Sequence, residues 1–358
     1  MRRTFWLLAS GALAAAGIFL SGTVSGASGS QSGQSGYRLK KIIPVSGDDS
    51  WDYMVMDNVA RRLYISHGTH VVVMDADAYA IIGEIRATEG VHGIALAPEL
   101  GRGFTTNGGT DTVTIFDLKT LKTIGTAKTG KRPDAIVYDP ASHRVFAFNG
   151  DAGSVTVIEA ATGSVVGTVE LGGDPEFAVA DGEGHIYNNL EDKNVVLQID
   201  SRTLKVLKRW PLAPCKSPSG MAIDKQHRRL FVGCENKMMA IMDAGDGHVV
   251  ATTAIGEGVD ANAFDPDTQF AFSANGDGTL TVVHEDSPDT YTVVGNVVTR
   301  KGARTMALDQ RTHNIFLAAA DLGPVAKGDH WPSVKPGTFV ILVVGWGSPL
   351  VQNADPVR

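Results

Sequence analysis

The stretch Ala135-Ile136-Val137-Tyr138-Asp139-Pro140, followed by Arg144-Val145-Phe146-Ala147-Phe148-Asn149-Gly150-Asp151 and Ser154-Val155-Thr156-Val157-Ile158, decides the fold. Three short apolar runs, each bounded by turn residues, read as strands, and the last alternates with period two. Glu159-Ala160-Ala161-Thr162-Gly163 turns the chain again, and Ser164 to Glu170 reads as a fourth strand. Four strands joined by tight turns in about forty residues make one blade of a β-propeller, not a helical repeat.

The unit recurs in both directions along the chain. Its first turn, usually opened by an acid, falls at Asp57, Ala97, Asp139, Asp181, Asp224, Asp265 and Asp309, at intervals of 40 to 44 residues. Seven anchors predict an all-β, seven-bladed β-propeller of four-stranded antiparallel blades. No stretch within the repeats shows helical periodicity. The last unit runs out after a third strand near Phe339 to Val344, while Tyr37 to Val45 reads as a strand before the first blade. The N-terminal strand is therefore expected to complete the last blade, closing the ring and removing an open sheet edge.

Outside the repeats, Arg2 and Arg3 precede an apolar run from Phe5 to Leu20 and a small-residue site at Ser25-Gly26-Ala27. This is the pattern of a cleaved export signal over 1–27; the run is also long enough to serve as an uncleaved anchor. Residues 28–36 form a Gly/Ser/Gln-rich linker, 37–348 the propeller and 349–358 a tail. A periplasmic or secreted protein is expected, exported by the Sec or twin-arginine route, with no membrane span once the signal is removed. Loss of residues 1–27, which carry two Arg and no acid, takes the formal charge from −7 to −9. An acidic chain lacks the basic face that nucleic acid requires.

Particular motifs resemble a known family. The Gly-x-x-Pro-Asp/Glu openings Gly130 to Asp134 and Gly172 to Glu176, the Phe148-Asn149-Gly150 turn, and the hairpin Val113-Thr114-Ile115-Phe116-Asp117-Leu118-Lys119-Thr120 are similar to the YncE-like, or YVTN-repeat, seven-bladed propellers. The resemblance covers about residues 37 to 345, and WD40 signatures are absent. It implies an exported propeller that binds a ligand or partner, and no single activity; a monomer that takes a small molecule or protein partner at the channel mouth is expected.

Two columns of residues fall on the mouth face. Five positions before each anchor stand Asp52, His92, Asp134, Glu176, Ser219, Asp260 and Arg304, all polar and four of them carboxylates. As a mouth ring, these acids would raise one another's pKa unless a cation sat among them. No cofactor is required, but a divalent metal is the one the ring suits: Ca²⁺ by its oxygens, or a transition metal if His92 or His67 joins Asp134, Glu176 and Asp260. The plainer reading makes each residue a local cap for backbone amides. Ten positions after each anchor stand His67, Asn107, Asn149, Glu191, Cys234, Asn275 and Ala319; the Asn-Gly pairs are expected to serve hairpins of positive φ. The acids closing third strands, Glu285 among them, read as blade-building.

Cys215 and Cys234 fall in neighbouring mouth loops and read as a disulfide in an exported chain, with a thiolate metal pair as the alternative. In the last blade, residues 320–336 replace a tight turn with a long irregular loop carrying Asp321, His330 and Trp331. This loop is read either as a lid that lays Trp331 over the channel or as a mobile surface loop. Signatures for a nucleophile elbow, a zinc protease helix, a P-loop or a full EF-hand are missing. Sequence alone thus favours a non-enzymatic binding scaffold. The alternative is a metal-dependent hydrolase or lyase of lactonase type, with His92 as general base.

Overall fold

The computed structural model describes residues 36–47, 50–325 and 332–347. The expected signal, all of the expected linker but Gly36, and the expected C-terminal tail lie outside them. Seven four-stranded antiparallel sheets follow one another, each from inner to outer strand in chain order through the first six blades. Blade three, for example, runs Pro133–Asp139, Arg144–Asn149, Ser154–Glu159 and Val165–Glu170. The expected seven-bladed propeller is the fold observed.

Closure follows the expected route. The N-terminal strand Tyr37–Pro44 pairs antiparallel with Val340–Trp346, Tyr37 opposite Trp346 and Pro44 opposite Val340. It becomes the outer strand of the blade that begins at Met306–Asp309. Tyr37 then packs edge-on against Phe272 of blade six, with ring centroids 5.1 Å apart. The seam between blades six and seven thus includes a residue from the start of the chain.

The acid at each anchor builds its turn. The Asp57 carboxylate accepts the amides of Val59 and Ala60, and Asp139, Asp181, Asp224 and Asp309 repeat the arrangement. These are Asx turns, in which the side chain satisfies amides that the strand has released.

Two expectations are corrected. Asn107, Asn149 and Asn275 are not held by positive φ; that conformation falls later, at Asp111, Gly153 and Gly278. Each Asn ends its second strand fully buried. Its amide donates to two hydroxyls on the third strand: Thr112 and Thr114, Ser154 and Thr156, or Thr279 and Thr281. Side-chain satisfaction of a buried strand end, rather than turn geometry, selects Asn here. The long loop of blade seven is in part regular: Leu322–Val325 pairs with Pro332–Val334 as a two-stranded arm. Its base is held by an Arg300–Asp321 ion pair of 2.8 Å. His330 and Trp331 lie outside the described residues.

Candidate functional site

Six of the seven inner strands shift register where they reach the channel mouth. In blade one, Trp51 pairs with His67 and Met54 with Ile65, so Asp52 and Tyr53 are stepped out of the ladder. Equivalent shifts follow Val91, Pro133, Pro175, Pro218 and Val259. A bulge of this kind bends the strand and re-aims its side chains. The released amides find side-chain acceptors on the second strand: Asp52 N donates to Ser66 Oγ at 3.0 Å, Gly93 N to Thr106 Oγ1 at 2.8 Å and Phe177 N to Asn189 Oδ1 at 2.8 Å. Thr106 and Asn189 in turn donate to the Asp134 and Ser219 carbonyls of the following blade. The ring residues therefore stand on bulges that are stitched from blade to blade.

The side chains fall into two groups and a loner. His92 Nδ1 lies 2.6 Å from Asp52 Oδ2 and 3.8 Å from Asp134 Oδ2, and all three side chains are about a quarter exposed. Each offers a ligand atom within 4.8 Å of the others. In the second group, Asp260 accepts from Ser219 Oγ at 3.2 Å and pairs with Arg304 Nε at 3.2 Å. Glu176 has no hydrogen bond or ion pair among the described residues. The structure brings neither Glu176 nor Asp260 into the first group.

Burial and mutual repulsion govern the charge. Burial, then the fields of Asp134 and Asp260, push the Glu176 carboxyl well above its ordinary range. Asp134 rises to about 7, chiefly by burial, with His92 opposing and Asp52 reinforcing. Asp260 rises to about 6 by burial, with Arg304 holding it down. For His92, burial works against the charged form, but the Asp52 hydrogen bond and the Asp134 and Asp52 fields prevail and lift it to about 9. His92 thus carries a proton at neutral pH. This geometry suits donation, not the general-base role that sequence alone suggests. Four carboxylates face two cations, and the mouth holds an excess of carboxyl groups.

Beneath the ring lies a feature not anticipated from sequence. Tyr53 of blade one stacks on Phe177 of blade four, centroids 5.2 Å apart and planes 26° from parallel. Blades one and four face each other, so the two rings meet in the channel. All four ring carboxylates act on the Tyr53 hydroxyl and, behind burial, raise its pKa well above the ordinary value. The signal was present four positions before each anchor: Tyr53, Gly93, Ala135, Phe177, Gly220, Ala261 and Thr305. Two aromatics among five small residues mark a channel filled from two sides.

Other candidates are placed elsewhere. His67 is completely buried, edge-on to Phe339 at 4.5 Å, and does not join the ring. Cys215 and Cys234 are joined by a disulfide, Cα atoms 5.5 Å apart, linking the loop before blade five to the end of its second strand. Lys216 N donates to Asn236 Oδ1 and Asn236 Nδ2 to Pro214 O, so hydrogen bonds brace the same corner.

Fold and mouth together define the class: a seven-bladed β-propeller with an acidic, bulge-borne ring over an aromatic plug. Compared with known proteins, the chain matches no family model and no curated sequence. Solved propellers resemble it in shape. The WD40 repeats of RRP9 superpose with TM-score 0.73 at 10% identity, covering 88% of this chain and 99% of that one. A chain of a mitotic checkpoint complex gives 0.70 at 15%, covering 86% and 96%. Hydrazine synthase of Kuenenia stuttgartiensis gives 0.67 at 16%, covering 76% and 94%. These neighbours, WD40 propellers among them, share the fold, and at such identity the likeness extends no further.

Proposed function

We propose that this chain is an exported YncE-like binding propeller whose mouth receives a cationic ligand, either a divalent metal or the ammonium group of a small molecule or protein partner. The excess of carboxyl groups carries the reading. Asp134, Glu176 and Asp260 are all displaced toward their neutral forms, and a bound cation would restore the ionised state and gain its full attraction. Binding loops mounted on a rigid scaffold suit this use. The export pattern of residues 1–27 and the repeat motifs support the YncE-like assignment. Calorimetric titration with Ca²⁺, Zn²⁺, Cu²⁺ and a panel of amines tests the reading, using Asp134→Ala and Glu176→Ala. A cation that binds wild type and loses at least tenfold in affinity in both variants supports it. Affinity unchanged in both, or no cation bound at all, overturns it.

One observation favours a second reading. The Asp52–His92–Asp134 group would offer three ligands at an open mouth once a metal displaced the His92 proton, and would leave positions for water, as hydrolytic centres require. Lactone or ester turnover that disappears on chelation and in His92→Ala would establish a metal-dependent hydrolase.

A further inference from the structure

Away from the mouth, a second group of donors converges at the seam between blades five and six. Asp224 ends the inner strand Pro218–Asp224, and His227 follows in its turn. Glu285 reaches them from the third strand of blade six, which runs from Thr279 to Ser287, longer than the six residues of its counterparts in blades two to five. His227 Nδ1 stands 2.7 Å from Asp224 Oδ2 and 3.0 Å from Glu285 Oε1. Neither contact has hydrogen-bond alignment: His227 Nδ1 and both Glu285 oxygens are buried without a hydrogen-bond partner. Glu285 is 3% exposed and Asp224 2%. The three ligand atoms lie within 4.8 Å of one another. The turn between inner and second strands and the third-strand hairpin share the face opposite the mouth, so this group is separate from the ring.

Two other seams supply a cation at this place. At the seam of blades seven and one, Asp309 is paired with Arg61, four positions after the next anchor, at 2.5 Å. At the seam of six and seven, Asp265 is paired with His313, in the same position, at 2.7 Å. At the seam of five and six that position is Gln269, whose amide turns back to Pro266 O. Asp224 therefore receives no cation from blade six and meets the Glu285 carboxylate instead. Arg229 is engaged by Asp243, Asp289 and the Pro288 carbonyl. Two buried carboxylates side by side are costly unless a positive charge is shared between them; His227, 2.7 and 3.0 Å away, shares one when protonated, and a metal held by all three would do so when it is not.

We propose that Asp224, His227 and Glu285 form a second cation site, taking Zn²⁺ or a divalent first-row ion of similar preference, that clamps blades five and six. One imidazole nitrogen and two carboxylate oxygens suit zinc better than calcium, which takes six to eight oxygens. The Asp224 carboxylate is already oriented by the Gln226 and His227 amides, at 2.9 and 3.1 Å. Such second-sphere bonds commonly position metal ligands.

The full chain, stripped with chelator and dialysed against Zn²⁺, is the material for the test, with metal content measured by mass spectrometry. Glu285→Gln and His227→Ala are each expected to lose one equivalent relative to wild type, whereas the mouth variant His92→Ala keeps that equivalent. Zn²⁺ is expected to raise the wild-type melting temperature and to leave that of Glu285→Gln unchanged. In chelator, Glu285→Gln should melt at or above wild type, because one of two adjacent buried carboxylates has been removed; this separates lost metal from lost folding. Equal zinc content in wild type and both seam variants, no zinc in wild type, or a Glu285→Gln protein that melts below wild type in chelator would each overturn the proposal.

Discussion

Replacing Asp134 by Asn keeps the shape of the mouth and removes one of its charges. The backbone carbonyl of residue 134 keeps its bond from Thr106; only the carboxyl changes. Burial and the Asp52 and Asp260 fields lift that carboxyl from 3.8 to about 7. A folded value above the unfolded one means that Asp134 costs nothing below pH ~4, and that the folded state loses stability as pH rises toward 7. At about 1.4 kcal/mol per tenfold change in proton affinity, that displacement sets an upper bound of about 4 kcal/mol. The carboxyl is a quarter exposed and shares its repulsion with its neighbours, so solvent screening reduces the figure to about 1–2 kcal/mol. For a chain of this size that corresponds to about 1.5–3 °C in melting temperature. Melts in chelator from pH 4 to 8 should show Asp134→Asn equal to wild type at pH 4 and more stable by that margin at pH 8. A variant less stable at pH 8, or a difference that does not vary with pH, would refute the repulsion argument.

Three further outcomes follow from the fold. Deleting residues 37–45 removes the outer strand of blade seven, and the single cooperative melt should be lost; an unchanged transition in scanning calorimetry would contradict ring closure. Asn149→Ala leaves the Ser154 and Thr156 hydroxyls without their buried donor and should cost about 1–3 kcal/mol in denaturant unfolding. Cys215→Ser with Cys234→Ser opens a loop with a sequence separation of 19 residues. A loss of about 3 kcal/mol is expected, matched by wild type under strong reductant and read from the same denaturation curves.

The blades were legible because strand alternation and turn acids repeat at a nearly constant interval. The ring was also legible, since one column of polar residues precedes every anchor. What escaped depends on contacts that only folding makes, within a blade or between blades. Asn107, Asn149 and Asn275 look like turn residues in a linear text, yet they serve hydroxyls four to seven positions further on that become neighbours only when the hairpin folds. Glu285 shares its column with the half-buried Asp75 and Asp117 and reads like them in sequence. It turns inward because the blade-six hairpin is longer, a length that the anchor spacing hardly registers. Tyr53 and Phe177 are 124 positions apart in sequence, and only the circular arrangement of blades sets one above the other.

The seal of the ring has a mechanical aspect. Tyr37 opens its strand and Trp346 closes the one beside it, and the two are partners. Both chain ends therefore leave from the same corner of blade seven. Tension applied between them peels this pair one hydrogen bond at a time, as a zip opens, and does not shear all its bonds together. The seam that completes the ring is thus also the one at which a pulled molecule would first come apart.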